Sequence, residues 1–222
     1  MNRRTFLASA AASGLACAAG ARKRIAIVTT VYRLNSHADV IAGRLLAGYE
    51  YYGKQHEPRV DVVSMYTDQI PKNDMSRALA AKYGFHIYPS IREALTLGGK
   101  SLAVDGVVFI GEHGDYSYNE KGQHLYPRYE LYKQIVDVFR ESGRVVPVYC
   151  DKHFSYDWQK AKWMFEQSRE LKFPLMAGSS VPLAWRRPPL EFDLEPSWIM
   201  PCRLGMATRR PTDFTRWRPC SA

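Results

Sequence analysis

The segment VPVYCDKHFSYDWQKAKWMFEQSRELKFPLMAGSS, residues 146–180, contains a strand pattern, a polar turn, a helix pattern and a second strand pattern. The apolar run Val145–Tyr149 predicts a buried strand that ends at the polar stretch CDKHFS. Asp157–Lys172 has apolar residues at helical spacing, including Trp158, Met164 and Phe165, and Leu175–Ala177 is again apolar. This order is typical of a parallel βαβ unit.

The same alternation runs through most of the chain. Further strand-like apolar runs are Ile25–Val31, Val60–Met65 and Val104–Ile110. Helical patterns lie between them at Ser36–Tyr52, Asp74–Tyr83, Ile91–Thr96 and Tyr129–Ser142, and Ser36 with Asp39 is typical of a helix N-terminus. Continuous apolar strands alternating with helices predict an α/β fold, a doubly wound parallel sheet of Rossmann type over residues 24–186.

Polar residues cluster where ligands of such sheets bind, at the carboxyl ends of strands. CDKHFS is one such end, and the loop GEHGDYSYNEKGQHLYPRYELY, residues 111–132, follows another strand. Its acids and histidines have the chemistry of metal ligands but match no compact ligand motif, so we expect no metal site. Its tyrosines favour a sugar-like ligand, bound by His113, His124 and Tyr126 together with His153.

The net charge of +9 lies at the two ends of the chain. Residues 1–24 have five basic residues and no acid, and residues 196–222 have five arginines and one aspartate, so residues 25–195 are neutral. A neutral central region lacks the basic surface that binds nucleic acid, and this excludes a nucleic-acid-binding function. The four cysteines are too widely spaced for a zinc motif or a disulfide framework.

The N-terminal stretch MNRRTFLASAAASGLACAAGARK, residues 1–23, resembles a twin-arginine export signal. Its apolar run is too short to span a membrane. An ordinary secretory signal and a lipoprotein signal at Cys17 are the alternatives. The signal predicts recognition by the twin-arginine export machinery and a periplasmic or exported protein, which we also expect to form a homo-oligomer.

Three motifs, read in order, resemble the nucleotide-binding half of the Gfo/Idh/MocA oxidoreductases. ALAAKYGFHIYPSIREAL, residues 78–95, resembles that family's helix, glycine turn and Y-x-S-x-x-E-x-L step. VDGVVFIGEH, residues 104–113, resembles its fourth strand and the histidine-containing loop that follows. The segment 141–180 resembles the region where a glycine turn leads into a strand ending in Glu-Lys-Pro.

The resemblance implies an NAD- or NADP-dependent dehydrogenase of a sugar or polyol. In the family, the lysine of Glu-Lys-Pro lies beside the nicotinamide and assists proton transfer at the carbon that loses hydride. Lys152 falls on that lysine and Asp151 on the glutamate, which makes Lys152 the predicted catalytic residue and Asp151 a cofactor-binding residue. His153 replaces the proline, a departure from the family pattern. A lysine at a strand end also occurs simply as a solvated side chain.

A larger departure follows the first strand. Dinucleotide-binding proteins of this type have G-x-G-x-x-G there, whereas IAIVTTVYRLNSHADVIAGRL, residues 25–45, has no glycine before Gly43. Thr29, Thr30 and Ser36 are the predicted phosphate-binding residues in its place, at a helix N-terminus. Asp68, after the second strand, is the predicted ribose-binding residue, with a solvated loop aspartate as the alternative.

Residues 187–222 end in a segment without usable periodicity, in which Trp, Arg, Pro and Cys are crowded together. This composition is typical of GC-rich DNA translated in the wrong frame. If the reading frame is shifted back by one base, the possible codons allow an amphipathic peptide with one histidine. We expect a frameshifted start of a truncated second α+β domain; the alternative is a genuine basic tail. Two functions follow: an exported oxidoreductase of which this chain is a truncated copy, active or inactive, or a non-catalytic ligand-binding protein that has lost dinucleotide binding.

Overall fold

The computed structural model of the chain describes residues 21–179. The predicted export signal, apart from its last residues, and the predicted truncated domain with its tail lie outside the described residues. Within them, the strands are β1 (Lys23–Thr29), β2 (Tyr49–Tyr51), β3 (Lys54–His56), β4 (Val60–Thr67), β5 (His86–Ile87), β6 (Gly106–Ile110), β7 (Val148–Asp151) and β8 (Leu175–Gly178). The helices are α1 (His37–Ala47), α2 (Ser76–Tyr83), α3 (Ile91–Thr96), α4 (Arg128–Ser142) and α5 (Trp158–Glu170).

Six strands form one parallel sheet in the order β5-β4-β1-β6-β7-β8. Counted along the chain within this sheet, that is the order 3-2-1-4-5-6 of doubly wound Rossmann sheets. The predicted α/β fold is therefore confirmed. The order of the strands reverses between β1 and β6, where Ile27 of β1 pairs with Val108 of β6, and the carboxyl edge beside this reversal is where such sheets bind ligands.

Apolar side chains fill both faces of the sheet. Along β1, Ala26 and Val28 are fully buried in the cluster formed with α3, α4 and α5. Ile27, between them, is fully buried in the opposite cluster with Ala38 and Ala42 of α1. Because successive side chains of a strand point to opposite faces, a strand covered on both sides has a continuous apolar sequence. This is the pattern on which the fold prediction depended.

Helix α1 is shorter than the predicted Ser36–Tyr52. Its start is confirmed, since Ser36 is the N-cap residue and its Oγ accepts a hydrogen bond from the backbone N–H of Asp39. The helix ends at Ala47 because Gly48 has a φ of 75°, and a Cβ there would lie 2.3 Å from the carbonyl oxygen of His56. The chain then forms the antiparallel hairpin β2–β3, which was not predicted.

Strand β7 lies further along the chain than the predicted Val145–Tyr149. Pro147 has no amide hydrogen for a strand ladder, and its carbonyl accepts from Val107 outside the regular pairing. Pairing continues instead through Cys150 and Asp151, opposite Ala177 and Gly178 of β8. The first two residues of the polar stretch CDKHFS therefore belong to the strand.

The predicted apolar face of α5 is partly wrong. Met164 is fully buried, but Trp158 is 74% and Phe165 is 48% exposed. Burial is centred on Met164, Gln167 and Ser168, and Phe165 lies roughly 100° around the helix from Met164. Among the described residues, no helix is long and apolar enough to cross a membrane.

Candidate functional site

Three loops meet at the carboxyl edge beside the strand reversal. They follow β1, β6 and β7, three neighbouring strands, and they carry His37, His113 and Lys152. Parallel strands end at the same edge, so polar residues far apart in the sequence come together there. Two predicted residues, Lys152 and His113, therefore lie in one group, together with His37, which was not predicted.

Lys152 follows the last residue of β7 and has an unusual backbone. Its φ is 67°, in the left-handed region, and it forms an isolated bridge with Gly178. His113 has a φ of 69°. Such a conformation costs a non-glycine residue about 1 kcal/mol, and strained residues of this kind cluster at functional sites. Two of them in adjacent loops mark this edge as a candidate active site.

His37 and Asp151 form the closest polar contact of the group. The Nδ1 atom of His37 lies 2.6 Å from Oδ2 of Asp151, and the two side chains are 29% and 9% exposed. His37 is the first residue of α1, directly after the N-cap, and Asp151 is the last residue of β7. The predicted cofactor-binding carboxylate is thus paired with a histidine of the same chain.

His113 lies beside this pair. Its ring contacts that of His37 edge to face, with 5.1 Å between the ring centroids. Its Nε2 atom is buried and has no hydrogen-bond partner among the described residues. Burial lowers the pKa of His113, a proton on the neighbouring His37 and the charges of Arg33 and Lys152 act in the same direction, and Glu112 opposes them. Protonation of the His113 ring is therefore disfavoured, and its buried Nε2 nitrogen has no hydrogen-bond partner among the described residues.

Arg128, a residue of α4, connects the loops that follow β6 and β7. It is 1% exposed, and its Nη1 donates to the carbonyl oxygens of Asp151, at 2.7 Å, and His153, at 3.0 Å. Its Nη2 forms an ion pair with Glu112. These contacts hold the backbone on both sides of Lys152, so Arg128 is the structural support of the site.

Sequence reasoning missed Arg128 and His37, although both have a recognisable signal. Arg128 precedes the buried Leu131, Tyr132 and Ile135 by three, four and seven residues, so a charged residue occupies the apolar face of the helix. His37 stands directly after the predicted cap, Ser36, at the carboxyl end of the first strand.

The remaining predicted substrate-binding residues lie in two places. His153 is exposed, and its backbone carbonyl is one of the acceptors of Arg128. His124 stacks between Tyr118 and Tyr126, with centroid distances of 4.4 and 4.1 Å, and its Nε2 contacts the carbonyl oxygen of Tyr116 at 2.9 Å. We call Tyr116, Tyr118, His124 and Tyr126 the aromatic cluster.

Tyr126 links the aromatic cluster to the charged group. Its ring centroid lies 5.9 Å from the guanidinium carbon of Arg128. Burial raises the pKa of Tyr126, and the carboxylate of Glu112 adds to the effect, against a backbone hydrogen bond from His113. His124 and Tyr126 are therefore brought together, and Tyr126 connects them to the loop that carries His113.

The hydroxyl groups of the predicted phosphate-binding residues are directed into the protein. Thr29, Thr30 and Ser36 are all fully buried. Thr29 donates to the carbonyls of Val31 and Ile110, Thr30 donates to the carbonyl of Glu112, and Ser36 accepts from two backbone N–H groups. Any phosphate contact at this loop would use backbone N–H groups or another side chain.

Asp68, the predicted ribose-binding residue, already accepts two side-chain hydrogen bonds. Tyr66 donates its hydroxyl at 2.8 Å and Tyr116 at 2.7 Å. Burial and this carboxylate together raise the pKa of Tyr66 to about 12. Asp68 thus anchors the aromatic cluster to β4, and only its remaining lone pairs are available to a ribose hydroxyl.

An open cleft of about 500 Å³ lies between the loops after β1, β4 and β6. Its lining includes Arg33, Gln69, Asn73 and Asp115. Arg33 supplies a cation, and the amides supply donors and acceptors, so the residues fit the polar, anionic half of a dinucleotide without a glycine turn. In the described part of the chain, no group of three or more His, Cys, Asp or Glu could hold a metal ion.

The comparisons with known proteins give structural matches alone. No protein-family model and no curated protein matches the chain. A structure of GenD2 from gentamicin A biosynthesis in complex with NAD matches with 19% identity and a TM-score of 0.45, over 71% of this chain and 34% of that chain. A Gfo/Idh/MocA family oxidoreductase from Vibrio cholerae matches with 19% identity and a TM-score of 0.45, over 70% and 38%.

A third match is UDP-N-acetylglucosamine 3-dehydrogenase GnnA from Acidithiobacillus ferrooxidans, with 13% identity and a TM-score of 0.43, over 70% of this chain and 38% of that chain. The chain therefore spans little more than a third of the length of these proteins. The matched structures include the family that the sequence resembles, while the Rossmann-like fold itself rests on the chain's own strand order.

Proposed function

We propose that this chain is the nucleotide-binding part of an exported NAD(P)-dependent oxidoreductase of the Gfo/Idh/MocA type that acts on a sugar or polyol. The observation that carries the proposal is Lys152, held in a left-handed conformation at the end of β7, at the edge where doubly wound sheets bind ligands. The sequence resemblance predicts a catalytic lysine at this position.

The surroundings of Lys152 support acid–base chemistry. His113, whose pKa is lowered by burial, and the His37–Asp151 pair belong to the same group. An ammonium group can donate a hydrogen bond to a substrate oxygen and stabilise negative charge that develops on it. Oxidation of an alcohol requires this stabilisation, because the oxygen must give up its proton as the carbon loses a hydride.

The cofactor supplies one part of the chemistry, since an oxidised nicotinamide accepts a hydride. The residues of this chain that would hold it are Arg33 and the polar side chains of the cleft, at the phosphate and ribose end, and the His113–Lys152 group at the nicotinamide end. The unpartnered, buried Nε2 of His113 fits a carboxamide, which offers both a donor and an acceptor.

A sugar or polyol suits the aromatic cluster. Its stacked rings offer flat apolar faces, and the tyrosine hydroxyls and His124 offer hydrogen bonds. Tyr118, at 58% exposure, is the accessible ring of the cluster. Sites that combine aromatic faces with a few polar groups are typical of small hydroxylated ligands.

The second candidate function is a non-catalytic ligand-binding protein. It is favoured by the loop after β1, which has no glycine and is hydrogen-bonded to the chain segments on both sides of it. Thr30 bonds to the backbone of Ile110 and Glu112, while the backbone N–H of Gln69 donates to the carbonyl of Thr30 at 2.8 Å. A loop held in this way lacks the close backbone approach that a G-x-G-x-x-G turn gives to a pyrophosphate.

Titration of the full chain with NADH and NADPH, followed by nicotinamide fluorescence, tests the proposal. We expect saturable binding, and slow oxidation of sugars or polyols with the oxidised cofactors that Lys152→Ala abolishes. Lys172→Ala is the matched control, because Lys172 also has a positive φ, of 60°, but follows α5. Binding without turnover indicates a chain that holds the cofactor but has lost the chemistry, and absence of any binding overturns the dehydrogenase proposal in favour of the non-catalytic alternative.

Export is part of the same proposal and is tested separately. The twin arginines Arg3 and Arg4 precede a short apolar run. We expect the full chain to reach the periplasm of a bacterial host and the double change Arg3→Lys with Arg4→Lys to retain it in the cytoplasm. If the unmodified chain and the double variant are distributed alike between periplasm and cytoplasm, the chain has no functional twin-arginine signal.

A further inference from the structure

We infer that His37, oriented by Asp151, is a proton acceptor of this site, so that the Rossmann-like domain carries a catalytic histidine of its own. This inference rests on the proposed function and adds a residue to it. It starts from the contact of 2.6 Å between Nδ1 of His37 and Oδ2 of Asp151. Asp151 acts through His37 and is a positioning residue.

The carboxylate is held rigidly. Asp151 pairs with Gly178 of β8 through the strand ladder, and its carbonyl oxygen accepts from Arg128 at 2.7 Å. Its side chain is 9% exposed, so little water competes for the carboxylate. A buried carboxylate that meets a single imidazole fixes the orientation of that ring.

The imidazole is held from its own side as well. Ser36 is fully buried, its backbone N–H donates to Arg33 at 3.0 Å, and its Oγ caps α1 one residue before His37. The ring of His113 lies edge to face with that of His37. Helix, cap and neighbouring ring therefore leave the His37 side chain little freedom, yet 29% of it is exposed and can meet a ligand.

The pairing determines which nitrogen is basic. An ionised carboxylate only accepts hydrogen bonds, so Nδ1 of His37 carries a proton, and in the neutral ring Nε2 is the nitrogen with the lone pair. A histidine arranged in this way is a general base, as in catalytic triads. His113 is less suited to the role, since its free nitrogen is buried.

Every proton and electron pair of the proposed alcohol oxidation has an acceptor. If an alcohol were oxidised to a carbonyl compound at this site, its C–H bond would break and a bound oxidised nicotinamide would take up the hydride. The O–H bond breaks and its proton passes to Nε2 of His37, while the electron pair of that bond forms the C=O bond. Lys152 donates a hydrogen bond to the same oxygen and keeps its own protons.

Nitrogen-15 NMR of the full chain with labelled histidine tests the arrangement without any ligand. We expect His37, identified by the loss of its signals in His37→Gln, to be the Nδ1–H tautomer with a far-downfield Nδ1 proton. Asp151→Asn should remove that resonance, while Asp61→Asn, a change at a half-exposed surface carboxylate in an ion pair with Arg22, should leave it. An Nε2–H tautomer in the unmodified chain overturns the inference.

A chemical probe covers the case in which Asp151→Asn does not fold. Diethyl pyrocarbonate acylates the unprotonated nitrogen of imidazoles, and mass spectrometry locates each modified residue. We expect His37 to react in the unmodified chain and to be acylated at Nε2. Where Asp151→Asn folds, the rate should fall by roughly tenfold or more, because the other tautomer is then favoured. An unreactive His37 in the folded chain contradicts the inference.

Cofactor titration separates this inference from the proposed function. If His37→Gln binds NADH as the unmodified chain does and loses only the oxidation of the alcohol, His37 is the proton acceptor. If the unmodified chain binds no nicotinamide cofactor, the proposed function fails and the inferred role fails with it, whatever the tautomer. If His37→Gln retains full turnover, the proposed function stands and the inference is wrong.

Discussion

His37 and Asp151 lie 114 positions apart in the chain and share a hydrogen bond of 2.6 Å. One residue begins the helix after the first strand of the sheet, and the other ends β7. The contact crosses the point at which the order of strands reverses, where Rossmann-like proteins bind their ligands. It connects the strained Lys152 with the half-buried His113 and makes the group a candidate for acid–base chemistry.

Because the backbone at Lys152 is strained, replacing this residue by glycine should reduce turnover without reducing stability. Glycine adopts a φ of 67° without a steric cost, so we expect Lys152→Gly to leave the free energy of unfolding unchanged or to raise it by up to about 1 kcal/mol. The same variant should lose cofactor-dependent turnover. Urea unfolding and turnover of the same preparations measure both quantities.

Lys172→Gly is the matched change, with a starting φ of 60°. It should have a similar effect on stability and none on turnover. Clear destabilisation of Lys152→Gly alone would mean that the lysine side chain stabilises the fold, and the interpretation of its backbone as functional strain would then be wrong.

Arg128 should be the most costly polar residue of the site to replace. In Arg128→Met, Glu112 loses its partner and the carbonyls of Asp151 and His153 lose their donor. We expect a loss of about 3–5 kcal/mol in the free energy of unfolding, because an uncompensated charge and unpaired acceptors stay partly buried. Chemical denaturation measures this loss.

Lys133→Met on the same helix is the control for Arg128. Lys133 forms an ion pair with Asp137, and its side chain is 48% exposed. Pairs of this kind contribute less than about 1 kcal/mol. If the two variants unfold at the same denaturant concentration, Arg128 is not the support that its contacts indicate.

Stability should fall in mild acid because of His113. Burial lowers its pKa below the ordinary 6.5, a proton on His37 and the charges of Arg33 and Lys152 add to this effect, and Glu112 acts in the opposite direction. The unfolded chain therefore takes up a proton first as the pH falls. The contribution of His113 is complete above pH 6.5 and is lost as the pH decreases from there towards the lowered pKa of the folded state.

His113→Asn tests this pH dependence, since asparagine tolerates the positive φ of this position. Urea unfolding at about pH 8 and about pH 5.5 should show a smaller loss of stability in the variant than in the unmodified chain. An equal loss would show that His113 titrates alike in the folded and unfolded states.

The hydroxyl of Tyr116 should stabilise the loop that carries the aromatic cluster. It donates to Asp68 at 2.7 Å, a bond between the loop after β6 and the end of β4. Tyr116→Phe should cost about 1.5–3 kcal/mol, the range for hydrogen bonds to charged groups. Tyr118→Phe, at a ring that is 58% exposed, should change stability by less than about 0.5 kcal/mol. Thermal unfolding of both variants makes the comparison, and equal midpoints would contradict the role of the bond.

Local patterns were sufficient for much of this molecule. The strands and helices of the doubly wound sheet follow from short-range periodicity, because burial on one helix face or on both strand faces requires apolar residues at regular spacing. The start of α1 follows from Ser36 and Asp39, which interact across one turn. The polar segment around Lys152 was correctly expected at a strand end, since a change from apolar to polar residues marks it.

Local patterns failed where distant contacts compete with them. The periodicity after Leu46 continues the helix, but the turn at Gly48 and the pairing of Tyr49 with His56 end it. The pattern of α5 likewise gave no indication that Trp158 and Phe165 are exposed, because burial depends on where the helix lies against the sheet.

The sequence by itself determined the class of fold and the edge at which polar residues accumulate, because both depend on spacings of a few residues. The tertiary structure alone decided which of those residues meet. The parallel register of β1, β6 and β7 brings His37 to Asp151 and His113, and Arg128 reaches the carbonyls beside Lys152 from another helix. Such pairings depend on strand order and on the direction of loops, and neither can be inferred from the spacing of residues along the chain.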